Sequence, residues 1–128
     1  MFTEVTQGIK VTVETYYEPT KSNPAFSSYF FTYRITIENY SENPVQLLRR
    51  HWHIFDSNGA KSEVEGEGVV GKQPVLGSGE IYQYVSGCNL TTEIGKMWGT
   101  YQMVRKSDGK KFYVRIPEFA MVSPFKLN

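Results

Sequence analysis

Three glycines in Gly66-Glu67-Gly68-Val69-Val70-Gly71 are spaced as GxGxxG. In dinucleotide-binding folds this pattern lays a pyrophosphate against the free N–H groups and dipole of a helix N-terminus. The chemistry needs a helix directly after the glycines, but here Lys72-Gln73-Pro74-Val75-Leu76-Gly77 follows, a run that cannot begin a long helix. Nor is there an acidic residue about 20 positions on at the end of a second parallel strand. The glycines therefore read as a bend at a strand end, where another backbone comes close. A glycine loop without a helix can still turn successive N–H groups toward one anion, with Lys72 adding charge. Against this, Glu63, Glu65 and Glu67 form an i, i+2, i+4 row that repels phosphate unless it faces away. Gly66 to Pro74 is thus a candidate binding segment, for a partner protein or for a pyrophosphate or nucleotide.

His51 and His53, two apart in an extended segment, project from one face, and neutral imidazole suits cobalt, nickel or zinc. A working site needs a third ligand from a neighbouring strand, and Arg49 on the same face opposes a cation. The single cysteine, Cys88, excludes an internal disulfide and a Cys-rich zinc site. It has no basic neighbour to make it a nucleophile, the nearest being Lys96. Both histidines lie in one segment, so no Ser–His–Asp set can be named and no catalytic residues or cofactor are expected. Trp98, between Gly95 and Gly99, reads as partly exposed: a partner-protein anchor or a cross-strand stacking residue.

The elements that must hold these residues are strands. Ile9, Val11 and Val13 alternate with Lys10, Thr12 and Glu14; Phe31, Tyr33, Ile35 and Ile37 alternate with Thr32, Arg34, Thr36 and Glu38. Between Val45 and Asp56 the parity breaks, so a bulge is expected near Leu47-Leu48, with Trp52 packing between sheets and Arg50 at the rim or paired. Asp56-Ser57-Asn58-Gly59 and Ser107-Asp108-Gly109-Lys110 read as hairpin turns. Further strands are expected over Lys61–Val70, Glu80–Ser86, Gly95–Lys106 and Lys111–Ile116, with Gln73–Gly79 as loop and Pro117 as a stop. Phe119 to Phe125 is apolar without alternation, and either lies along an edge or docks on a second copy in a homodimer. No stretch carries a sustained 3.6-residue stripe.

The 128 residues suit a single domain, 1–128, and 15% aromatic content with 11 glycines favours strands and tight turns. The expected fold class is all-β: an immunoglobulin/fibronectin-III-like antiparallel β-sandwich of about seven or eight strands. A net charge of +1, from 14 basic and 13 acidic residues, supplies no field for nucleic acid or an anionic membrane. The N-terminus shows no secretory signal and no apolar run spans a bilayer, so a cytoplasmic location is expected.

Several motifs in series carry a family resemblance. Arg50-His51-Trp52, the run Gly66 to Pro74, Gly79-Glu80-Ile81-Tyr82-Gln83-Tyr84-Val85-Ser86-Gly87, Gly95 to Met103 as G-x-M-x-G-x-Y, and Ile116-Pro117-Glu118-Phe119 together resemble the ApaG family over essentially the whole chain. The resemblance implies a fibronectin-III-like sandwich. It also implies a non-enzymatic module for protein–protein interaction, since similar domains serve that role in larger proteins, within a family linked to cobalt tolerance and magnesium efflux. The alternative is small-ligand binding, either an anion at the glycines or a divalent cation at His51 and His53.

Overall fold

The computed structural model describes residues 1–124. Strands β1 (Phe2–Thr6), β2 (Ile9–Tyr17), β3 (Tyr29–Asn39), β4 (Val45–Asp56), β5 (Lys61–Glu67), β6 (Val75–Leu76), β7 (Ile81–Leu90), β8 (Ile94–Arg105) and β9 (Lys111–Val122) make up the domain. All pairings are antiparallel. One sheet has the order β1-β2-β3-β7; the other has β5-β4-β8-β9, with β6 also on β4. The chain changes sheet between β3 and β4, between β6 and β7 and between β7 and β8, the crossing connections of such sandwiches. Single 3₁₀ turns lie at Pro19–Lys21 and Pro24–Phe26.

Period-two patterning explains the core. Ile9, Val11 and Val13 of β2 and Phe31, Tyr33, Ile35 and Ile37 of β3 are all buried, and their alternating neighbours are half-buried. From the facing sheet, Trp52 packs edge-on to Tyr33 at 5.5 Å and to Phe119 at 5.8 Å between ring centres. This aromatic cluster ties the sheets together; each such side chain contributes about 1.5–3 kcal/mol by leaving water. Tyr84 and Tyr101 meet hydroxyl to hydroxyl inside the core. Burial raises both phenols far above their ordinary range, so they serve as neutral hydrogen-bonding groups.

Two bulges set which side chains face outward. On β4 the register with β8 shifts between Leu47 and Arg49, so Leu48 is the extra residue and the break in parity is real. Arg49, His51 and His53 then share the outer face, while Trp52 turns inward. On β8 the register with β9 shifts between Met97 and Gly99, which leaves Pro117 and Glu118 opposite Trp98. Pro117 therefore does not end the strand: it sits in the bulge, where its missing N–H costs no ladder bond. Beyond it Phe119 and Met121 are buried and Ala120 is exposed, so this segment alternates after all. Phe125 lies outside the described residues.

The N-terminal strand β1 and the short pairing of Val75-Leu76 with Val45-Gln46 are elements that the apolar pattern does not announce. β1 lies against β9, where the backbone N–H of Arg115 donates to Thr6 Oγ1 and its guanidinium meets Glu4 at 3.1 Å. No helix among the described residues is long and apolar enough to cross a membrane.

Candidate functional site

The glycine segment closes on itself as a small hairpin. Val69 N–H donates to Lys72 O at 2.8 Å and Lys72 N–H to Val69 O at 3.0 Å, with Val70 at φ 48° and Gly71 at φ 77° between them. Two consecutive positive φ angles define the primed turn of a two-residue hairpin. Glycine accepts that conformation, whereas a β-branched residue such as Val70 is strained in it. Gly68 is demanded twice, by φ 64° and because a Cβ there would lie 2.3 Å from Lys72 O.

The hairpin is fixed to the β4 bulge. The Leu48 carbonyl accepts from Gly68 N–H at 2.8 Å and from Gln73 Nε2 at 2.9 Å, and Leu47 N–H donates to Pro74 O at 3.0 Å. Arg50 donates to the carbonyls of Glu67 (3.1 Å) and Gly68 (3.0 Å). Its guanidinium lies over Gly66, where a Cβ would come within 2.8 Å of Nη1. The arginine thus resolves its position at the sandwich rim by bonding backbone oxygens, not a carboxylate. The N–H groups of Gly68, Val69 and Lys72 are all spent on backbone carbonyls of Leu48 or of the hairpin itself, so these three do not converge on an anion. Val69 is fully buried in the core, while Val70, Gly71, Lys72, Gln73 and Glu67 are exposed.

A second cluster lies further along β4. In register, His51 faces Glu65, His53 faces Glu63 and Arg49 faces Glu67, so the carboxylate row of β5 shares the histidines' face. His51 Nδ1 lies 3.0 Å from Glu65 Oε1, and Glu63 Oε1 lies 3.1 Å from His53 Nδ1 and 3.6 Å from His51 Nε2. The two imidazole centres are 4.4 Å apart. His53 stacks on Trp98, 5.4 Å between centres and within 8° of parallel. Trp98 is half-buried, in keeping with its expected partial exposure. It sits opposite His53, four register positions from the Arg49–Glu67 pair at the base of the hairpin, about 13 Å at the usual strand rise. The structure therefore separates Trp98 from the glycine segment and joins it to the histidine pair. Glu63, which sequence reasoning left unassigned as a ligand, is a neighbouring-strand carboxylate that stands against both histidines.

Cys88 is buried, and that burial, with the nearby Asp56 charge, pushes its thiol up to about 11, so it is protonated at neutral pH. Asp56, at the far end of β4, holds the turn before β8. Its carboxylate accepts from Thr91 N–H and Thr91 Oγ1, each at 2.7 Å, and from Thr92 Oγ1. Burial works to raise its pKa, but these bonds outweigh it and leave the carboxyl below its ordinary range.

A small all-β sandwich of the immunoglobulin/fibronectin-III type, with an outward-facing hairpin at one end of β4 and a histidine–carboxylate face beside it, is the class that this architecture defines. The chain belongs to the ApaG domain family, whose model matches residues 19–105. It is 51% identical over 124 residues to a protein ApaG of Brucella abortus, covering 97% of this chain and 95% of that one. To the protein ApaG of Sinorhizobium fredii it is 48% identical over the same span, with the same coverage. It is also similar to the crystal structure of an ApaA protein from Bordetella pertussis, with TM-score 0.88, 43% identity, and coverage of 91% of this chain and 94% of that one.

Proposed function

We propose that the protein is a cytoplasmic, non-enzymatic binding module that grips a partner protein with the tip of the Gly66–Pro74 hairpin. The observation that carries this reading is Val70. A β-branched residue is held at φ 48° with its side chain 64% exposed. Strain and an exposed apolar surface both work against the free protein, and such features persist where they serve recognition. The hairpin beneath it is already ordered by Leu48, Arg50 and Gln73, so docking costs little conformational entropy. The spent N–H groups of Gly68, Val69 and Lys72 favour a partner protein over a pyrophosphate at this segment. Among the described residues no set of side chains supports a catalytic step.

Affinity capture from native extract, with Val70→Asn beside the wild-type chain, tests the reading. Asparagine tolerates the turn and removes the apolar side chain. Proteins that the wild type retains and the equally folded Val70→Asn chain releases are the expected result. Identical capture by both chains refutes the hairpin as the contact.

A further inference from the structure

We propose that His51, His53 and Glu63 form a site for a transition-metal dication of the zinc, cobalt or nickel type, on a surface separate from the hairpin. One ligand atom from each of the three residues lies within 4.8 Å of the others. Metal–nitrogen and metal–oxygen bonds of about 2.0–2.2 Å at tetrahedral angles put neighbouring ligand atoms about 3.3–3.5 Å apart. Glu63 Oε1 stands at 3.6 Å from His51 Nε2 and 3.1 Å from His53 Nδ1, on either side of that spacing. The third side of the triangle, between the two imidazoles, lies within 4.8 Å, so seating an ion requires the histidine side chains to close by up to about 1.5 Å.

The environment of His51 points the same way. Its Nδ1 is 3.0 Å from Glu65 Oε1, so a proton on Nδ1 is held by that carboxylate and Nε2 is left as the lone-pair nitrogen. Nε2 is sealed from solvent and has no hydrogen-bond partner. A buried acceptor with nothing to accept from is costly, and a cation satisfies it. Carboxylate behind histidine is the arrangement that orients metal-bound imidazoles and raises their basicity, which makes Glu65 a positioning residue. His53 is steadied by its stack on Trp98. Two imidazoles and one carboxylate suit borderline metals and select against magnesium, which prefers an all-oxygen shell. Glu63 and Glu65 together balance a double positive charge. Of the cations nearby, Arg49 faces Glu67 across the strands, and Lys61 and Lys96 lie over the ring of Phe55. Three protein ligands on a solvent-facing sheet leave a coordination position for water, so the ion is exchangeable.

Titration of the full chain with cobalt, nickel, zinc and magnesium chlorides, followed by melting temperature and tryptophan fluorescence, tests the site. Cobalt and nickel are expected to raise the melting temperature and to quench the fluorescence. Trp98→Phe keeps an aromatic face for His53 but removes the reporter, so quenching falls sharply while the thermal shift stays. His53→Gln and Glu63→Gln each abolish both responses, and Glu65→Gln weakens affinity about 10–100-fold. Val70→Asn binds metal as the wild type does, which separates this site from the partner surface. The proposal is overturned by any one of three results: no response to millimolar cobalt, nickel or zinc; a response that survives both His53→Gln and Glu63→Gln; or magnesium acting as strongly as cobalt.

Discussion

The hairpin at Gly66–Pro74 and the histidine face at His51–His53 both grow from β4, yet they are built on opposite principles. The hairpin is a backbone construction. Its shape comes from φ angles, a bulge carbonyl that accepts two bonds, and an arginine lying where no Cβ stands. The histidine face is a side-chain construction, assembled because strand register sets Glu63 opposite His53 and Glu65 opposite His51. Changes to the glycines and anchors that shape the first should therefore unsettle the fold, whereas changes to the second should leave the fold alone and alter only what it binds.

Substitutions sharpen that contrast, and urea unfolding reads most of them. Trp52→Ala removes the ring that packs on Tyr33 and Phe119 between the sheets and should cost about 3–5 kcal/mol, setting the scale for damage to the core. Gly68→Ala should cost about 2–3 kcal/mol through its positive φ and the Lys72 carbonyl. A cost near zero would show that the hairpin is softer than described. Asp56→Asn, at the end of β4 away from the hairpin, should cost about 1.5–2 kcal/mol. Because the folded-state pKa of Asp56 is lowered, its contribution is complete above the unfolded value of about 4 and disappears as pH falls through the lower folded value. The gap between wild type and Asp56→Asn should thus narrow in acid titration below about pH 4. Val70→Asn should stabilise by about 0.5–1 kcal/mol, because the strain of the turn is relieved. His53→Gln and Glu63→Gln should shift stability by less than about 0.5 kcal/mol. A large loss there would make the face a structural ion-pair network, and the contrast would fail.

Much of the frame was legible because alternation reports burial directly: Ile9 to Val13, Phe31 to Ile37, and the parity break at Leu47-Leu48 all appear where the pattern puts them. The first strand was not, because Glu4 and Thr6 on its half-buried side meet Arg115 while Val5 points to solvent. Pro117 misled because a bulge absorbs the one defect that proline brings to a ladder. The pairing of histidines with glutamates was hidden by a single residue. A two-residue turn centred on Asn58-Gly59 would set Val64 opposite His53. The actual loop, Ser57 to Gly59, has Asp56 N–H donating to Ala60 O and only Gly59 at positive φ, which moves the register by one and brings in Glu63. ApaG-type motifs identified the family, but motifs do not state registers.

The carboxylate row of β5 also acts beyond its own chain. This strand is the outer border of its sheet, with backbone groups free to accept another strand, and Glu63, Glu65 and Glu67 surround that border with like charge. A second copy approaching in the same way meets repulsion at each alternate residue, which discourages ribbon growth and aggregation. β7, a border of the other sheet, has no such guard: Ile81 and Val85 stand 59% and 57% exposed along it. The like charges of β5 thus guard the very border on which the histidine face stands.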